Sequence, residues 1–343
     1  MNRKVVIHFG FVILMTTFLM FQSCTKEDLV INQPSQSILV IPEGFPEMIF
    51  PNDNQFSTER WELGKKLFFD PILSIDSSIS CASCHKPSLS FSDDVALSSG
   101  VNSRSGVRNS PSLANVGYHP YFLREGGVPT LEMQVLVPIQ EHNEFNHNIV
   151  EISKQLQNIP EYVQMSVDAY DRNPDPFVIS RAIGVFERSL ISGNSAFDKY
   201  QNGDMSALNE SEKRGMNLFF GEKTNCSSCH GGFNFTDYSF QNNGLKLEYE
   251  DVGRMRFTND SADLAKFKVP SLRNVELTAP YMHKGQIEDL EKVIDHYNSG
   301  GFNHRNKSIK ITPLNLSEIE KEDLLAFLKS LTDYEFIGNS KWN

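Results

Sequence analysis

The chain has 343 residues, 39% of them hydrophobic and 22% charged, with a formal net charge of −11. That length is a prior for two domains, each with its own core, and the lack of a basic surplus excludes an electrostatic nucleic-acid binder. An acidic surface favours basic partners, met in a salt-sensitive encounter.

The N-terminus reads as a processing signal. "MNRK" is a basic start, "VVIHFGFVILMTTFLMF" is an apolar core, and "FQSC" ends it at Cys24. The stretch is short and sharply bounded, which suits a signal peptide better than a spanning helix. A cysteine directly after the apolar run resembles a bacterial lipoprotein cleavage site. The expectation is a signal peptide over 1–23 and a lipidated Cys24 holding the protein to a membrane, in the periplasm or cell envelope. Ordinary secretion or an uncleaved anchor also leaves the folded part outside the cytoplasm. Cleavage removes Arg3 and Lys4, taking the net charge from −11 to −13. Residues 24–50, with Pro34, Pro42 and Pro46 and no sustained period, read as a tether.

The rest is mostly helical in pattern. "STERWELGKKLFFD" begins with Ser/Thr and sets Trp61, Leu63, Leu67 and Phe68 on one side. "DPFVISRAIGVFERSLI", "LNESEKRGMNLFFG", "DLEKVIDHYN" and "SEIEKEDLLAFLKSL" are further amphipathic helices. Strand-like alternation is scarce. Long Gly/Ser/Asn-rich stretches at 97–110 and 237–262 are of the length that carries function.

The chain also repeats itself. Gly64-x-x-Leu67-Phe68-Phe69, Cys81-x-x-Cys84-His85 and Phe91-Ser92-Asp93 return as Gly215-x-x-Leu218-Phe219-Phe220, Cys226-x-x-Cys229-His230 and Phe235-Thr236-Asp237. "PSLANV" (111–116) matches "PSLRNV" (270–275), and "PYFLREG" (120–126) matches "PYMHKG" (280–285). The order predicts two tandem domains, 51–205 and 206–343.

C-x-x-C-H is the pattern of covalent c-type haem attachment. Two thiols join the vinyl groups, and the adjacent histidine reaches the iron. Cys81, Cys84, Cys226 and Cys229 would hold two haems c, with His85 and His230 as axial ligands. With Cys24 these are all five cysteines, so none remains for a disulfide. A thioredoxin-like pair needs a βαβ context that the pattern lacks, and zinc does not require a histidine after both pairs. Two classes then remain: an electron carrier with both irons closed, or an enzyme with one iron open to a small oxidant.

The motifs "CASCHKPSLSFSD", "GVRNSPSLANV", "TLEMQVLVPIQEHNEF", "GMNLFFGEKTNCSSCHGG" and "FKVPSLRNVELTAPYMHKG" resemble, over about 51–335, the bacterial dihaem cytochrome c peroxidases, the MauG-like branch included. The resemblance implies two cytochrome c-like haem domains with long loops. The first, N-terminal haem is the peroxide site and the second, C-terminal haem passes electrons. On the distal face of the first, the family's glutamine matches Gln134 and its glutamate Glu144. Glu144 would move a proton from one peroxide oxygen to the other and Gln134 would orient the peroxide. Glu141 is a rival carboxylate by spacing.

Some members close the first haem with a histidine in the loop equivalent to 97–108; this chain has none there, which implies an open iron without reductive activation. His119 and His142 are expected to be ordinary polar residues. For the second iron the equivalent ligand position is Tyr297, as in MauG-like members, with Met282 and His296 as rivals. The resemblance also implies calcium between the haems, on Asn109 and on the backbone carbonyls of Thr278 and Pro280. Where the family carries a bridging tryptophan, this chain has Arg124, which cannot relay an electron hole. Tyr121 and Phe122 are nearby substitutes.

The implied activity is reduction of hydrogen peroxide to water, with electrons from a small c-type cytochrome or cupredoxin. The alternatives are MauG-like oxidation of a protein side chain and non-catalytic electron transfer. A homodimer is among the assemblies the resemblance allows.

Overall fold

A computed structural model describes residues 38–342. Helix α1 (Thr58–Phe69) starts at Ser57, whose hydroxyl accepts the Arg60 amide. It is followed by α2 (Cys81–Cys84), α3 (Leu131–Gln134), α4 (Leu136–Gln140), α5 (Ile149–Leu156), α6 (Pro160–Tyr170) and α7 (Pro176–Arg188). Then come α8 (Ala196–Gln201), α9 (Glu210–Phe220), α10 (Met255–Thr258), α11 (Leu290–Ser299), α12 (Glu318–Lys329) and α13 (Tyr334–Ile337). Strands β1 (Phe240–Gln241) and β2 (Phe267–Lys268) pair antiparallel. The fold is mainly α, and all five helices expected from periodicity are present. None of the described helices is long and apolar enough to cross a membrane. Cys24 and the 1–23 signal lie outside the described residues.

Two helix pairs frame the molecule, and each crosses at a glycine. α1 packs on α7 at Gly64, where a methyl group would overlap the Ala182 carbonyl. α9 packs on α12 at Gly215, where a methyl would overlap the Asp323 carbonyl. A bare Cα is what lets the backbones approach this closely. Around the first pair, Trp61, Leu63, Leu67, Phe68, Ile183 and Phe186 form one core. Around the second, Phe219, Phe235, Leu324 and Phe327 form another. Each such side chain contributes about 1.5–3 kcal/mol on burial.

The packing boundary is not the sequence boundary between 205 and 206. Phe197 of α8 belongs to the second core, while Phe336 and Trp342, from the chain's end, are buried in the first. The described part of the expected tether is also packed rather than free. The Phe45 ring lies 4.7 Å from Phe233 and 6.1 Å from Tyr118, and Met48 is buried. The apolar residues Phe45 and Met48 outweigh the turn-forming prolines around them.

The sequence repeat reappears as matched contacts. Asn115 and Asn274 both take left-handed backbone, with φ of 59° and 58°. Their amides donate to Leu190 (2.7 Å) and Leu331 (3.1 Å), which follow α7 and α12. Two further matched bonds run between the halves. The Asn109 amide donates to the His283 carbonyl at 3.0 Å, and the Lys268 amide to the Arg124 carbonyl at 2.6 Å.

Candidate haem sites and their distal residues

Each C-x-x-C-H segment is a short helical turn. Cys81–Cys84 is α2, and Cys226–Ser228 is a single 3-10 turn. The turn directs the histidine amide back to the first cysteine, at 2.9 Å for both His85 to Cys81 and His230 to Cys226. The tails "FSD" and "FTD" have a physical role here. Phe91 and Phe235 are buried and adopt φ of 57° and 50°. Their carbonyls thereby meet the histidine rings, at 2.9 Å from His85 Nδ1 and 3.1 Å from His230 Nδ1. Each Nδ1 donates its proton there, so each Nε2 carries a lone pair, as an axial ligand requires. Burial lowers both histidine pKa values, and the phenylalanine carbonyls oppose that shift.

None of the four motif cysteines forms a disulfide. Burial pushes Cys84 up to about 11 and Cys81 well above the ordinary thiol range. A redox-active C-x-x-C pair needs a depressed thiol pKa, so the thioredoxin-like reading does not fit. No cluster of three or more His, Cys, Asp or Glu suited to a metal occurs among the described residues, which leaves zinc without a donor set. Free paired thiols beside an oriented imidazole fit haem c at both places.

Gln134 and Glu144 lie on one folded-back segment. After α3 and α4 the chain returns, and the amides of Phe145 and His147 donate to Pro138 (3.2 Å) and Ile139 (2.8 Å). Glu144 is half-buried, and burial pushes its carboxyl up to about 7, helped by the negative charge of Glu141. The Glu144 charge in turn raises both Cys81 and Cys84, so it stands within electrostatic reach of the first attachment pair. Glu141 is exposed. Gln134 has a buried Oε1 with no hydrogen-bond partner, an acceptor left for a ligand.

The loop expected to lack a closing histidine instead braces Glu144. Its amide at Val101 donates to the Glu144 carbonyl at 3.0 Å, and Arg104 donates to the His142 carbonyl at 3.0 Å. Gly100 lies so close to Asn143 that a methyl would overlap its carbonyl. His142 is exposed. His119 is enclosed, with Nδ1 3.2 Å from Lys268 Nζ and its ring 5.1 Å from that of Tyr238.

At the second site, burial raises the Tyr297 hydroxyl, and electrostatic coupling to the Cys226 and Cys229 positions adds to the shift. The phenol thus stands within electrostatic reach of the second attachment pair. The rivals are engaged elsewhere: His296 Nε2 is 3.0 Å from the Asn243 carbonyl, and Met282 Sδ accepts from Asn243 Nδ2 at 3.1 Å. Asn243 thus engages both rivals. Sequence spacing gave no sign of Asn243, which approaches from a distant loop. Glu187 was also missed. It is buried with an unpartnered Oε2, its pKa is pushed up to about 8 by burial, and it adds to the shift at Cys81.

Of the three expected calcium donors, Asn109 does not fit a calcium ion. Arg124 donates to the Asn109 carbonyl at 2.8 Å and to its side-chain Oδ1 at 3.1 Å. The side-chain oxygen meant for the metal already faces a guanidinium. Thr278 follows the 3-10 turn Val275–Leu277 and sends its hydroxyl to the Val275 carbonyl, which leaves its own backbone carbonyl, the expected donor, uninvolved. Tyr121 stacks on Phe240 at 5.1 Å, and its hydroxyl donates to the Tyr238 carbonyl at 2.5 Å. Phe122 is buried.

Residues 58–206 match the family described as di-haem cytochrome c peroxidase. The chain is 38% identical over 295 residues to a methylamine utilization protein MauG from Methylorubrum extorquens, covering 84% of this chain and 82% of that one. It is 36% identical over 280 residues to a cytochrome c551 peroxidase from Nitrosomonas europaea, covering 79% of each. Among solved structures, a MauG-like protein associated with microbial copper homeostasis superposes with a TM-score of 0.85 at 34% identity, over 88% of this chain and 97% of that one. The diheme peroxidase BthA from Burkholderia thailandensis shares the fold, with a TM-score of 0.72 at 22% identity over 83% of this chain and 88% of that one. Two oriented C-x-x-C-H sites and relatives of this similarity along most of the chain lead to one conclusion: the protein belongs to the di-haem cytochrome c peroxidase family, whose members carry two c-type haems.

Proposed function

We propose that this protein reduces hydrogen peroxide to two waters at the haem held by Cys81, Cys84 and His85. The observation that carries the reading is Glu144. It is a half-buried carboxyl with a pKa of about 7, in electrostatic reach of the first attachment pair and braced from behind by Val101. A base needs a pKa near the working pH to accept and return a proton with equal ease. Bound haem supplies the electrophilic iron and the electrons for cleavage of the O–O bond. Glu144 takes a proton from one oxygen of hydrogen peroxide and delivers it to the other, which leaves as water. Gln134 Oε1 accepts a hydrogen bond from the peroxide and holds its orientation. Two electrons and two further protons complete the second water.

The electrons enter, on this reading, through the second haem, held by Cys226, Cys229 and His230. The matched cores and matched asparagine contacts support an origin of the two haem domains by duplication. A small c-type cytochrome or cupredoxin is the donor we propose, and an acidic surface favours a basic one. The leader and Cys24 support attachment by lipid in the periplasm or cell envelope. Tyr297 beside the second thiols favours a MauG-like second reading, in which peroxide drives oxidation of a protein side chain.

The test is steady-state turnover of purified holoprotein with peroxide and a reduced c-type cytochrome. Cytochrome oxidation that tracks peroxide consumption supports the peroxidase reading. Peroxide consumption without cytochrome oxidation favours the MauG-like reading. No consumption leaves an electron carrier.

A further inference from the structure

We propose that Arg124 is a built-in cation that takes the place of calcium between the two halves, so that the contact between them is independent of calcium. The geometry is specific. Arg124 Nε and Nη2 both meet the Asn109 carbonyl, at 3.2 and 2.8 Å, and Nη2 also meets Asn109 Oδ1 at 3.1 Å. The remaining atoms of the Asn109 amide are committed too, since Nδ2 donates to the Val95 carbonyl at 3.2 Å. Asn109 is thus held in one orientation, with both its oxygens turned to a guanidinium.

Those two residues also sit at the matched bonds between the halves. The Asn109 amide reaches His283, and the Arg124 carbonyl receives the Lys268 amide. One guanidinium therefore ties together the two strands of contact that cross the interface. A metal ion at the same oxygens would do the same task by a different bond.

Charge balance argues the same way. Two carboxylates lie in the cluster, Glu125 and Asp251, and both are paired with Arg108. Arg108 and Arg124 bring two positive charges against those two negative ones. Lys268 adds a further positive charge, its backbone amide meeting the Arg124 carbonyl at 2.6 Å. A divalent ion needs hard oxygen ligands with surplus negative charge, and here it would share an oxygen with a guanidinium.

The experiment uses wild-type holoprotein, purified with calcium in every buffer and then desalted. Metal content is measured by emission spectrometry. Haem spectra and Tm are recorded in EGTA and again after calcium is restored. We expect calcium well below one ion per chain, and spectra and Tm that do not change between the two conditions. Calcium approaching one ion per chain, or an EGTA-induced shift in either readout, would overturn the proposal. Peroxide turnover is not a readout, so the result is separate from the fate of the peroxidase reading.

Discussion

The amide of Val101 donates to the carbonyl of Glu144 at 3.0 Å, directly after Gly100 meets the Asn143 carbonyl too closely for any side chain. The loop that could have held a closing ligand is thus the wall that sets the carboxyl. Gly100→Ala should push the 143–144 turn outward. We expect kcat/KM for peroxide to fall by about 10²-fold, the scale of a 1 Å misplacement. Haem content and the second haem's spectrum should be unchanged. Steady-state kinetics beside pyridine haemochrome quantitation checks this.

The raised pKa of Glu144 fixes a pH dependence. A base must be ionised in the free enzyme, so kcat/KM should rise with pH and reach half its maximum near 7. Stability runs the opposite way. The folded pKa lies above the ordinary 4.5, so the favourable contribution is complete below about 4.5 and is lost as pH rises through 7. Replacing Glu144 with glutamine should therefore raise Tm at pH 8 and leave it nearly unchanged at pH 4.5. The difference corresponds to at most about 3 kcal/mol. Thermal melts at the two pH values decide it.

Tyr297 is predicted to govern the second haem alone. Phenolate ligation favours ferric iron and methionine raises the potential. Tyr297→Met should therefore raise the midpoint potential of the second haem by on the order of 0.1 V, within the ~0.8 V that axial ligands span. The first haem's EPR signal should not move. Redox-poised EPR separates the two. An unchanged second signal would show that Tyr297 does not ligate the iron.

Much of this was legible in the sequence because haem attachment is local chemistry. Five consecutive residues specify it, and the tails ending at Asp93 and Asp237 lie within a dozen residues of the first cysteine. Periodicity found the helices that bury Trp61 and Phe327. What stayed hidden depends on approach between distant segments. Asn243 reaches Met282 across 39 positions, and Arg124 reaches Asn109 across 15. The resemblance supplied Asn109 as a calcium donor, but only geometry reveals that a guanidinium already holds its oxygen. The packing of the described part of the expected tether, 38–50, was hidden for a similar reason. Prolines between 34 and 46 suggested a loose segment, yet the Phe45 ring packs on Tyr118 and Phe233.

Glu144→Gln in the holoprotein tests the central claim most directly. The substitution keeps the shape and removes the base. Pre-steady-state mixing with peroxide, monitored at the first haem, should show the reaction slowed by about 10²–10⁴-fold, with both haems attached and the second haem's potential unchanged. A variant that reacts with peroxide as fast as the wild type would contradict the account.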